Sequence, residues 1–164
     1  MFNGSGYFFI YKMIEIKNLS SNQRFLLNVL VPSLYMLPLI LAYLGPKNFG
    51  FGHDNLVYLG LAIGVLGLIL WILAMLTLGS SLKVLPGTDR LVTRGVYRYS
   101  RHPIYIGIIL TLSGLFIACG SKICLVYVIT IVVPLNICRA RSEETFLLEE
   151  LGDAYQKYRT ITYF

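Results

Sequence analysis

Charge is scarce in this chain. Of 164 residues, 13% are charged and 56% are hydrophobic, a balance that excludes an ordinary soluble domain, in which about a quarter of residues are charged. Histidine is nearly absent. His53 and His102 are the only two, and Cys119, Cys124 and Cys138 have no metal-ligand spacing to them or to one another. A Cys/His zinc site is thereby excluded and no metal is expected; the cysteines read as small residues of a membrane core. The N-terminal stretch does not read as a secretory leader. The apolar stretch "YFFIY" is short and precedes Lys12 instead of following a basic region, so it reads as an interfacial anchor, with Met13 as an alternative start.

What the chain has instead is long uncharged runs, at residues 25–46, 55–82, 103–121 and 123–138. Crossing the hydrocarbon takes about 20 apolar residues, with roughly 17 to 25 tolerated. The first three runs qualify, and Lys122 and its neighbours read as the turn of a hairpin whose second arm is just long enough. The expected fold is therefore all-α and polytopic, one domain over 1–164. Spans are placed at 25–46, 55–79, 103–121 and 123–138. A cytoplasmic segment at 1–24 precedes them, and a cytoplasmic C-terminal helix over 139–164 follows.

Of the 14 lysines and arginines, all but Lys47 and Lys122 fall on one side of these spans. The positive-inside rule makes that side, with both termini, cytoplasmic. The net charge of +6 then concentrates on one surface. It suits anionic headgroups or an anionic cofactor, and does not argue for nucleic acid.

Within the spans, Pro32 and Pro38 predict a kinked first helix. Gly60 and Gly64 have the small-xxx-small spacing that lets helix backbones approach in lipid; packing within one chain is the simpler reading, a dimer contact the other. The long connection "LKVLPGTDRLVTRGVYRYSRH" carries turn signals at Pro86–Gly87 and Arg94–Gly95, and connections of this length are commonly functional. After Cys138, the apolar positions Leu147, Leu151, Tyr155 and Tyr158 form one helical stripe. Gly152 is expected to break or re-aim that helix.

The chemistry gathers at the ends of the last two spans. Pro103 suits the first position of a helix and holds His102 extended. A helix N-terminus beside Arg101 and His102 can receive a carboxylate or phosphate. Tyr97, Tyr99 and Tyr105 add flat faces for a ring or a cationic group. Arginine and tyrosine are also the ordinary residues of a membrane interface, so an anchor explains the same stretch. Arg139 and Glu143 lie four apart on one helical face, with Glu144 beside them. As a surface pair they would contribute a few tenths of a kcal/mol. The hairpin, however, brings them to the level of His102, where basic and acidic groups together would suit a zwitterionic ligand.

The stretches "LVTRGVYRYSRHPIYIG" and "RARSEETFLLEELGDAYQKY", in that order and spacing, resemble the isoprenylcysteine carboxyl methyltransferase and phospholipid methyltransferase superfamily of integral membrane enzymes. The resemblance covers the C-terminal half; the first two spans match only in general character. It implies a pocket for S-adenosyl-L-methionine lined by Leu91, Val92, Tyr97, His102, Pro103, Ile104, Tyr105 and Glu143, with Arg90 joining through its backbone. It places Arg139 on the side of a lipophilic methyl acceptor entering from the bilayer: a prenylcysteine-type carboxylate, a phospholipid amine, or a small lipophilic acid or thiol. Asp89 departs from the pattern, standing where some relatives carry histidine. Transfer to a carboxylate or thiolate needs no dedicated base; a protonated amine would need one, and Glu144 is the candidate. Membrane sterol reductases share a similar "RHP-x-Y-x-G" stretch but usually follow it with an acid, where this chain has Ile108. They and a non-catalytic membrane scaffold are the alternatives.

Overall fold

A computed structural model describes residues 33–43, 54–79 and 91–163. Helix α1 is Ser33–Tyr43, α2 is Asp54–Leu78 and α3 is Pro103–Ala118. Helix α4, Lys122–Leu151, contains a π-helical stretch at Val128–Val132, and α5 is Asp153–Ile161. A short 3-10 helix, Gly95–Arg98, lies in the connection before α3. Among the described residues there is no strand, only an isolated parallel bridge between Ser100 and Tyr163. The all-α expectation holds for these residues. Pro32, the Pro86–Gly87 turn, Arg90 and the outer parts of the first span lie outside them.

Two of these helices, α2 and α4, are long and apolar enough to cross a membrane, whereas α1 as described and α3 are shorter apolar helices. The 16 residues of α3 rise about 24 Å at 1.5 Å per residue, less than the roughly 30 Å of hydrocarbon. Exposure distinguishes α2 from a soluble core helix. Only 17% of its most apolar window is buried, and Tyr58, Leu66 and Leu76 are among the side chains it turns outward. Water would penalise such a surface; lipid would not.

Helices α2 and α3 pack most extensively, and glycine lets them do so. Added Cβ atoms would lie 2.5 Å from the Ala118 amide at Gly60, 2.5 Å from the Thr111 amide at Gly67 and 2.8 Å from the Trp71 amide at Gly107. The backbones touch at these points, as the small-residue spacing of Gly60 and Gly64 anticipated within one chain. Gly107 and Gly114, opposite them on α3, complete the seam.

A second core joins α1, α3 and α4 around Leu112, Phe116, Cys124, Val128 and Val132. Proline shapes this contact. Pro38 has no N–H for the Leu34 carbonyl; the Tyr127 hydroxyl donates to that oxygen instead, at 3.1 Å. The buried Cys124 thiol lies 3.5 Å from the Pro38 carbonyl, so this cysteine is a core residue as expected. In α4, Pro134 cannot donate to the carbonyl four residues back, and the π-helical stretch ends just before it.

One boundary corrects the sequence reading. The α3–α4 turn is Cys119–Ser121, with Gly120 at φ +67°, and Lys122 is already helical. The Ser121 hydroxyl caps α4 by accepting from the Cys124 amide at 3.4 Å. Helix α4 runs unbroken from its apolar half into its charged half, to Leu151. The re-aiming falls at Gly152, at φ +48°, as its glycine anticipated.

Candidate functional site

The connection entering α3 is held from both sides. On one side Gly95, at φ +59°, packs its Cα against Thr77, where a Cβ would meet the threonine hydroxyl at 3.0 Å. On the other side α5 folds back across it. The Tyr158 hydroxyl donates to the Tyr97 carbonyl at 2.6 Å. The Arg101 guanidinium donates to the carbonyls of Arg159 and Thr162 at 3.1 and 3.3 Å. Backbone bonds from Arg101 to Tyr163 and from Tyr163 to Tyr99, each 3.1 Å, complete the clasp. The buried face of α5 thus carries Tyr155 and Tyr158. Burial raises the Tyr97 hydroxyl well above its ordinary pKa, with the Glu143 charge adding to the shift. It pushes Tyr158 up to about 12 despite the opposing charge of Arg101. Tyr155 also rises to about 12, through burial first and the Glu144 charge second.

His102 is 4% exposed; at φ −127°, ψ 49° it avoids the helical region, as proline demands of the residue before it, but it is not extended as the sequence suggested. Its amide donates to the Ser100 hydroxyl at 3.2 Å, and the helix proper starts at Pro103. Helix α4 delivers two carboxylates to this imidazole. Glu144 Oε1 lies 3.3 Å from Nε2, and Glu143 Oε2 lies 3.7 Å from Nδ1. Glu144 also pairs with Arg101, at 2.8 Å from Nε. The His102 ring stacks on Tyr105 at 5.8 Å between centroids, and the Arg139 guanidinium sits 5.5 Å over the other partner of that stack, the Tyr105 ring. Beneath Arg139 on α4, Asn136 accepts a 2.6 Å bond from the Tyr35 hydroxyl of α1.

These groups surround one cavity of about 440 Å³, within the range of small-molecule sites. Its polar lining comes from Tyr97, Arg101, His102, Arg139, Glu143 and the α5 tyrosines; further along α3 from His102, the lining is apolar at Ile108, Leu112 and Leu115. Leu91, Val92, Ile104 and Tyr105 also line the cavity. Eight residues singled out in the sequence, Arg139 among them, therefore converge. Pro103 and Glu144 do not line the cavity: Pro103 is fully buried, and Glu144 acts from behind by holding Arg101 and His102. Sequence reasoning gave no site role to Trp71, Tyr35, Tyr155 or Tyr158. The available signal was the polar tip of each tyrosine on an otherwise apolar stripe, since a buried hydroxyl needs a partner.

The cavity combines charged, aromatic and apolar lining in a helical protein with exposed hydrophobic helices. The chain belongs to the isoprenylcysteine carboxyl methyltransferase (ICMT) family, whose sequence profile matches residues 59–149. A protein-S-isoprenylcysteine O-methyltransferase from Schizosaccharomyces pombe is 31% identical to it over 91 residues, which takes in 52% of this chain and 39% of that relative. The chain thus spans well under half the length of the curated relative it matches.

Proposed function

We propose that this protein is an S-adenosylmethionine-dependent methyltransferase of the membrane, with four spans and both termini on the cytoplasmic side, acting on a lipophilic acceptor. The observation that carries the reading is the convergence of the loop, α3 and α4 residues on one cavity with both polar and apolar lining. Family membership supports the same class of chemistry.

The residues present fit the cofactor. S-adenosylmethionine combines a sulfonium, an ammonium, a carboxylate and an adenosine, and when bound it supplies an electrophilic methyl group. The ring faces of Tyr97 and Tyr105 offer surfaces for its flat or cationic parts. Glu143, which lines the cavity, offers a counter-charge to the ammonium or sulfonium. His102 and Ile104 hold the wall at the helix start, with Leu91 and Val92 opposite. Arg90, which lies outside the described residues, is assigned to the same group by the family resemblance alone. Pro103 contributes by fixing where α3 begins.

The acceptor is a carboxylate on a lipophilic body, of the prenylcysteine type. Arg139, braced over Tyr105, orients it, and the apolar lining of the cavity receives its chain. A carboxylate meeting a sulfonium joins opposite charges, so excluding water and aligning the two centres supply the acceleration without a general base. Glu144 is accordingly left to its pairing with Arg101 and His102; a phospholipid amine would require it as a base.

Calorimetric titration of the detergent-purified protein with S-adenosylhomocysteine tests the cofactor. Saturable binding that Glu143→Ala abolishes is expected. A folded sample that binds no S-adenosylhomocysteine but takes up a nicotinamide dinucleotide would replace the reading with a reductase.

A further inference from the structure

Tyr155 carries a feature that neither the clasp nor the wall explains. Its side chain is 1% exposed, it lines the cavity, and its hydroxyl has no hydrogen-bond partner among the described residues. Its neighbour in the stripe is the contrast. Tyr158 is also buried, yet its hydroxyl is spent on the Tyr97 carbonyl. Nearly all buried hydroxyls in folded proteins are satisfied, and one that is not is expensive to keep. Phenylalanine would fill the same volume without that penalty. Glu144, the charge closest in effect, does not take up the hydroxyl; its carboxylate is engaged by Arg101 at 2.8 Å.

We propose that the Tyr155 hydroxyl is a cofactor-binding group, donating a hydrogen bond to an oxygen of the S-adenosyl ligand and so coupling α5 to occupancy of the cavity. The inference rests on the functional reading above, because it names that ligand. Its pKa of about 12 keeps the hydroxyl protonated, and hence a donor, throughout the physiological range. Helix α5 then has two jobs divided between two tyrosines one turn apart: Tyr158 closes the helix onto the loop, and Tyr155 reads what lies beneath.

The test compares Tyr155→Phe with Tyr158→Phe in the full chain, in detergent, by calorimetric binding of S-adenosylhomocysteine and by melting temperature without ligand. Tyr155→Phe is expected to melt at or above wild type while its Kd weakens roughly five- to thirtyfold, the worth of one hydrogen bond to a polar or charged group. Tyr158→Phe is expected to melt lower, since it leaves the Tyr97 carbonyl unpaired. Unchanged affinity in Tyr155→Phe would overturn the proposal. A lower melting temperature with unchanged affinity would do so as well, and would assign the hydroxyl to a structural water. Absence of binding by wild type is a separate result; it would remove the functional reading and this assignment with it.

Discussion

Gly107→Ala is the sharpest test of the packing that holds the cavity wall. A Cβ at this position would lie 2.8 Å from the Trp71 amide nitrogen and 2.9 Å from its Cα. Both are backbone atoms of α2 and cannot rotate aside, so the two helices must move apart. Overpacking of this kind costs about 1–3 kcal/mol, while alanine recovers at most about 1 kcal/mol in helix propensity over glycine. The expected net effect is therefore a loss of up to about 2 kcal/mol. Gly64 supplies the control on the same seam. Its added Cβ would meet its nearest neighbours at 3.5 to 3.6 Å, an ordinary contact, so Gly64→Ala should be neutral or stabilising by up to about 1 kcal/mol. The chain has a single tryptophan, and it is the residue against Gly107, so Trp71 fluorescence during denaturant titration in micelles reads the contact directly. Equal stability changes in the two variants would refute the helix register. Because α3 also carries Tyr105 into the cavity, Gly107→Ala should weaken S-adenosylhomocysteine binding and Gly64→Ala should not.

Two other outcomes follow from the site. Arg139→Ala should lower kcat/KM toward a prenylated cysteine with a free carboxylate by roughly 10- to 100-fold, the loss of a charge-assisted bond, while S-adenosylhomocysteine affinity changes less than about threefold; equal losses in both would contradict the acceptor-side placement. Alkaline pH should loosen the α5 clasp. Tyr155 and Tyr158 ionise near 12 in the folded protein and near 10 when unfolded. Stability is thus full below pH 10 and falls as pH rises toward 12, where the unfolded chain has released protons that the folded one still holds. Melting curves across that window, compared with Tyr155→Phe and Tyr158→Phe, would show the fall diminished in the variants; an identical pH profile would contradict it.

The sequence marked the fold where backbone chemistry is local. Proline before the third helix, glycine at 152 and the glycine spacing of the second helix each state a conformational need that the residue itself meets, and the structure honours all three. The convergence of His102, Glu143 and Arg139 was also legible, because a hairpin must return α4 to the start of α3. What stayed hidden was which partner a buried face meets. The stripe through Tyr155 and Tyr158 announced a buried side of a helix, but nothing in a period of three and four residues tells that the side closes over Tyr97 and Arg101. Glu144 was hidden for a similar reason. Its spacing is compatible with a base at the cavity, and only the position of Arg101 at 2.8 Å turns it to the outside.

The central claim is that Glu143 and the residues gathered around it hold an S-adenosyl cofactor, and calorimetric titration with S-adenosylhomocysteine tests it most directly. Wild-type protein is expected to bind saturably at one site, with Glu143→Ala folded and inserted but unable to bind. Titration of a well-folded wild-type sample that shows no heat beyond dilution, or a Glu143→Ala variant that binds as tightly as wild type, would contradict it.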